Sequence, residues 1–88
     1  VRKNNELIEA VADLCHEQWA GWMRYLFTKG TWEDDGKFVI NEDSAKRWWN
    51  QMETSYSKLS PKEQESDRTE TDKFIKLFDK FNEKEGEN

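Results

Sequence analysis

The residue types able to do chemistry are few in this chain. The single histidine, His16, lies between the single cysteine, Cys15, and Glu17. Neighbours on a helix point about 100° apart, so Cys15 and His16 cannot grip one metal ion, and His16-Glu17 lacks the second histidine of a zinc-protease helix. There is no phosphate-binding glycine loop and no serine nucleophile turn. His16, about 60° from Trp19 toward the exposed stripe, could serve as a general base, but a lone histidine beside a tryptophan more often makes a structural hydrogen bond. The carboxylates are numerous but form no specifically spaced acid–base pair. The expectation is a protein with no catalytic residue, no metal site and no cofactor. Asp67-Arg68 stands apart. The aromatic stripe Phe74–Phe78, extended backwards, meets Thr71, Asp67 and Gln64. A carboxylate on a core-facing stripe must be paired, hydrogen-bonded, or open to water or a ligand. Two readings stay open: an internal tie from Asp67 to Arg68, His16 or a Trp N–H, or a small polar pocket walled by Trp rings. On either reading loss of Asp67 is expected to be damaging, because breaking a buried pair costs about 3–5 kcal/mol.

The elements that must hold these residues follow from apolar spacing. The densest stretch, Cys15–Phe27, belongs to a first helix beginning after Asn4 or Asn5 and stopped by Gly30. At 100° per residue Ile8, Cys15, Trp19, Trp22 and Leu26 share one face, with Leu7, Leu14 and Tyr25 on one flank and Met23 and Phe27 on the other. This face is expected to be buried. Glu6, Asp13, Glu17 and Arg24 form the opposite, solvated stripe. Thr31–Gly36 reads as a loop with an Asp35-Gly36 turn, and 37–40 as a short extended segment, either paired in a hairpin or lying on the core. A second helix starts at Asn41–Ser44 and runs to about Glu53, with Ala45, Trp48, Trp49 and Met52 on its buried face. Thr54–Leu59 is a connector. Ser60-Pro61-Lys62-Glu63 is a capping box with proline at the first helical position, opening a third helix to about Phe81. The fold class expected is an all-α, compact three-helix domain over residues 1–82, with 83–88 a disordered acidic tail.

Composition narrows the setting. Only 34% of residues are hydrophobic and 38% charged, yet five Trp, five Phe and two Tyr are clustered, so a few large rings can supply a core. The net charge of -5 excludes the basic surface needed for direct nucleic-acid binding or attachment to an anionic membrane. One cysteine allows no intrachain disulfide, and no signal peptide or membrane-length apolar run is present, so a cytoplasmic protein is expected.

Two segments carry a family resemblance. Ile8–Trp19, ending in His-Glu-x-Trp, and Ser55–Ile75, reading SYSKLSPKEQESDRTETDKFI, resemble the two ends of the ryanodine-receptor repeat, the RyR domain. The matching positions are His16, Trp19, Tyr56, Leu59, Glu63, Gln64, Asp67 and Arg68. The chain is also similar to short phage and prophage proteins through Trp22–Phe27 and Trp48–Met52. The middle departs: the family's Gly-Trp-x-Tyr-Gly segment is missing, and the helix with Trp48 and Trp49 takes its place. The resemblance implies a helical, non-catalytic domain, which in free-standing bacterial and phage members recognises a nucleotide-like ligand.

The expected ligand-binding set is His16, Trp19, Met23, Trp49, Tyr56, Asp67 and Arg68, with an aromatic ligand between Trp rings and Arg68 facing its phosphate or carboxylate. In a phage protein acting in the host cytoplasm, such binding would sequester a host defence signal. The alternative is a protein-interaction module, or an acidic inhibitor of a host protein. A homodimer through an exposed ring is a further expectation, with Trp32, placed in a loop, as its candidate.

Overall fold

A computed structural model describes the backbone of residues 2–86 and the side chains of residues 4–83. The element order is α1 (Arg2–Leu26), β1 (Gly30–Trp32), β2 (Phe38–Ile40), α2 (Glu42–Met52), a single 3-10 turn (Tyr56–Lys58) and α3 (Pro61–Gly86). The expected three-helix, mostly helical domain is what the chain forms, and the extended segment pairs in a true hairpin. No helix among the described residues is long and apolar enough to cross a membrane.

Several boundaries differ from those read off the sequence. α1 begins at Arg2, so Asn4 and Asn5 lie inside its first turns rather than capping it. α3 continues through the expected tail to Gly86, while residues 87 and 88 lie outside the described residues. Gly30 does not end α1 in a left-handed conformation; Gly36, with φ 90°, is the described residue that takes one. Gly30 instead opens β1, where it pairs with Ile40 in an antiparallel ladder that continues through Thr31–Val39 and Trp32–Phe38. A Cβ at Gly30 would strike the Val39 carbonyl oxygen and lie 2.8 Å from the Phe38 ring. Trp32 is therefore a strand residue and not a loop residue, stacked on Phe27 with ring centroids 5.7 Å apart. Phe38 closes on Phe27 edge-on at 4.9 Å, and the three rings fasten the hairpin to the end of α1.

Local signals in the second half hold. Asn41 caps α2, its Oδ1 accepting from the Ser44 N–H at 2.8 Å, while its N–H and Nδ2 both donate to the Lys29 carbonyl. One side chain thus starts α2 and closes the turn after α1. At α3, the Glu63 N–H donates to Ser60 Oγ at 3.2 Å and the Ser60 N–H donates to Glu63 Oε1 at 3.1 Å, a reciprocal cap with Pro61 as first residue.

Helix pairing departs most from expectation. Ala10, Asp13, Leu14 and Glu17 of α1 share a groove with Lys73, Lys76, Leu77 and Lys80 of α3. Further along, Gln18 and Gly21 lie beside Ser66 and Glu70. The two helices are therefore antiparallel. The half-buried residues of α3 are Glu63, Gln64, Asp67, Glu70, Phe74, Leu77 and Phe81, and all but Gln64 follow an alternation of four- and three-residue steps that makes one heptad seam. On α1 the half-buried line is Leu7, Val11, Leu14 and Gln18, also a heptad seam. The stripe expected to be buried lies one residue round from it. Ile8 is 62% exposed, Trp19 55% and Trp22 54%, and Cys15 is exposed too. The reason is that an antiparallel neighbour covers one seam, and α3 takes the line of Leu7, Val11, Leu14 and Gln18.

The same rotation occurs on α2. Trp48 and Gln51 are half-buried and Ser44 is buried, whereas Trp49 is 67% and Met52 63% exposed and Ala45 is exposed, so the buried row is 44–48–51 instead of 45–48–49–52. Among the described residues no apolar side chain is buried. The chain measures 56 × 34 × 17 Å. Its thinnest dimension is little more than the about 10–12 Å of one helix with side chains.

The hairpin geometry makes a sharp expectation. Gly30→Ala should lower stability by about 1–3 kcal/mol, the usual loss on forcing an extra methyl into a closed contact. Chemical denaturation followed by circular dichroism reads this, and an unchanged midpoint would mean that the Gly30–Ile40 register is wrong.

Candidate functional site

Where the C-terminal end of α1, the second half of α2, the connector and the first turns of α3 meet, they enclose an open cleft of about 520 Å3. Trp22, Tyr25, Trp48 and Tyr56 bring rings to it, Met23 and Met52 supply flexible thioethers, and Asp67 supplies its carboxylate. This volume falls in the range of small-molecule sites, about 300–1,000 Å3.

Each wall is tied down by a specific contact. Tyr25 holds α1 to α2: its ring packs at 59° to Trp48 with centroids 6.2 Å apart, and Arg47 Nη2 donates to its hydroxyl oxygen at 3.4 Å. The Lys29 ammonium sits 5.1 Å from the same ring centroid. The Tyr25 pKa is lowered, first by the Arg47 hydrogen bond and further by the charges of Lys29 and Arg47, because both cations favour the phenolate. Tyr56 joins the connector to α3. Its carbonyl accepts from Gln64 Nε2 at 2.9 Å, and its hydroxyl oxygen accepts from Arg68 Nη1 at 3.1 Å. Arg68 Nε donates to Glu65 at 3.0 Å, and this bond holds the guanidinium pKa above its usual value.

Asp67 is the exception among its neighbours. Three carboxylates occupy the inner seam of α3 before the aromatic residues begin. Glu63 is engaged in the cap, and Glu70 pairs with Lys73 at 3.0 Å. The half-buried carboxylate of Asp67 has no hydrogen-bond or ion-pair partner among the described residues; the bond at Asp67 is from Thr71 Oγ1 to its backbone carbonyl. The internal tie to Arg68, His16 or a Trp N–H is not formed. Asp67 faces the cleft instead.

The structure brings together part of the expected ligand set. Met23, Tyr56 and Asp67 line the cleft, and Arg68 stands behind Tyr56. His16 and Trp19 do not reach it. They pair with each other on α1, ring centroids 5.9 Å apart, one or more turns before the cleft begins. Trp49 points to solvent on the far side of α2. The sequence reading passed over Trp22, Tyr25, Trp48 and Met52 as site residues. All four were visible as large apolar residues on α1 and α2, but assigning them to a cleft needed the rotation of both helices.

Two outcomes test this geometry. Arg47→Ala should raise the Tyr25 pKa toward its ordinary value, seen as a later phenolate transition on raising pH in ultraviolet difference spectra. A transition that does not move would detach Arg47 from Tyr25. Asp67→Asn should leave the thermal midpoint unchanged or raise it, because removing an unpartnered charge from an apolar wall relieves desolvation. A marked loss of stability would show instead that Asp67 has a structural partner. No protein-family model, no curated protein and no solved structure matches this chain.

Proposed function

We propose that this protein is a non-catalytic binding module whose cleft takes a small planar aromatic ligand, nucleotide-like in class. The observation that carries this reading is the unpartnered Asp67 carboxylate on a wall otherwise built of Trp22, Trp48, Tyr25, Tyr56 and methionines. A carboxylate that has no protein partner and borders the cleft is available to accept a hydrogen bond from a ligand donor. Rings on several sides suit a flat π system, whose stacking is worth about 1–3 kcal/mol per base. An amino edge of such a ligand would donate to Asp67. The Nη2 group of Arg68, bonded to no described residue, lies beyond the Tyr56 hydroxyl as a donor to a phosphate or carboxylate. Asp67 is the one carboxylate in the lining, and it has no His, Cys or Lys beside it, so the cleft is suited to holding a ligand rather than to paired acid–base work. In a phage setting the module would sequester a host signal molecule.

The alternative of an acidic inhibitor imitating nucleic-acid charge has less support. Asp13 and Glu17 share their groove with Lys73, Lys76 and Lys80, so that side presents both signs rather than one continuous negative field.

Thermal shift and Trp fluorescence against a panel of nucleosides and nucleoside monophosphates test the proposal. A ligand present at about 100 times its dissociation constant adds about 2.7 kcal/mol to stability. For a compound with an amino edge, Asp67→Asn should weaken binding about tenfold, the loss of one charge-assisted hydrogen bond. Absence of any shift across the panel, with the protein folded, would end this reading.

A further inference from the structure

α1 carries two heptad seams side by side. One, Leu7–Val11–Leu14–Gln18, is the half-buried line beside α3. The other, Ile8–Ala12–Cys15–Trp19–Trp22–Leu26, repeats the same four- and three-residue steps and is covered only at its last turns, where α2 and the connector arrive. A seam of this spacing is the pattern that another helix packs into with knobs and holes. α3 shows the same duplication. Its second row, which includes Thr71, Ile75 and Phe78, is exposed, with Ile75 at 52% and Phe78 at 41%. The open rows of the two helices lie on the same side of the pair. The groove carrying Asp13, Glu17, Lys73, Lys76 and Lys80 marks one side. At 100° per residue Ile8, Cys15 and Trp19 on α1, and Ile75 and Phe78 on α3, fall on the side opposite.

We infer that this two-helix face is the interface for a second copy of the same chain, giving a four-helix bundle built from two α1–α3 pairs. Area supports a partner of this size. An ordinary monomer of 10.6 kDa exposes about 5,500 Å2. This chain exposes 7486 Å2, an excess of roughly 2,000 Å2, above the about 800 Å2 that a standard interface removes from each partner. The radius of gyration, 17.8 Å, likewise exceeds the about 12 Å expected for one globular chain of this length. A second copy fits better than a single foreign helix because the open surface is a pair of seams. A pair is matched by a pair, and a two-fold axis sets the same apolar surface against itself. The Trp32 ring stays out of this contact, held against Phe27 and Phe38 in the hairpin.

The test uses the whole chain. Sedimentation equilibrium or light scattering over a range of concentrations should give twice the chain mass. Trp19→Glu and Ile75→Glu should each return the mass to that of one chain with helical circular dichroism retained, since both side chains are more than half exposed in the single chain and the ring partner of Trp19, His16, lies on its own helix. Arg24→Ala, on the charged side, should keep the double mass. In the unaltered protein Cys15 should react with iodoacetamide at least tenfold more slowly at concentrations where the mass doubles than where it is single. The inference is overturned by a single-chain mass at every concentration, which would assign the face to another partner. It is overturned equally by a double mass that survives both glutamate substitutions, or by Cys15 reactivity that does not change with concentration.

Discussion

α1 is apolar around more of its circumference than one neighbouring helix can cover. Its C-terminal half places Trp19, Trp22, Met23, Tyr25, Leu26 and Phe27 within three turns, spread over both flanks of a single face. A helix packed against one antiparallel partner buries one seam, about a third of its surface. Everything else in the chain answers to that excess. The hairpin takes Phe27 into a three-ring cluster, α2 takes Tyr25 and Leu26, and α3 takes the seam of leucines, Gln18 and Gly21. What remains is the row through Ile8, Cys15 and Trp19, which stays exposed.

The choice of seam has a physical logic. The line Leu7, Val11, Leu14 and Gln18 carries slender side chains, whereas the line through Trp19 and Trp22 would hold a partner off. α3 meets that line with Phe74, Leu77 and Phe81 at one end and with three acidic residues at the other. The acidic end cannot pack as a dry seam. Glu63 leaves it for the helix cap and Glu70 leaves it for Lys73, so Asp67 alone keeps an unneutralised charge there. The polar start of α3 is thus the reason a cleft opens at that end of the helix pair instead of a closed contact.

Strength in this molecule comes from local signals more than from a core. The Ser60–Glu63 cap and the Asn41 cap on Ser44 join residues three apart, and the ring cluster of the hairpin joins adjacent elements. Contacts across long sequence distances are fewer, notably Arg47 and Trp48 with Tyr25, Arg68 with Tyr56, and the α1–α3 seam. A chain with this balance has well-specified elements and a modest net stability, and it gains much from whatever covers its open face.

The sequence alone determined the three helices and the starts of the second and third: Asn41 and Ser60-Pro61-Lys62-Glu63 cap their helices because capping is settled by residues within one turn. It also determined that α3 changes from polar to aromatic along one stripe, and that Asp67, Tyr56 and Met23 belong near one another. It left open which side of each helix faces inward. On α1 two adjacent seams both satisfy helical periodicity, and on α2 the rows through Ala45 and through Ser44 differ by one residue, so spacing cannot choose between them. Tertiary packing made that choice by setting α3 against the line Leu7–Val11–Leu14–Gln18. It thereby turned Trp19, Trp49 and His16 away from the cleft and Trp22, Tyr25, Trp48 and Met52 toward it.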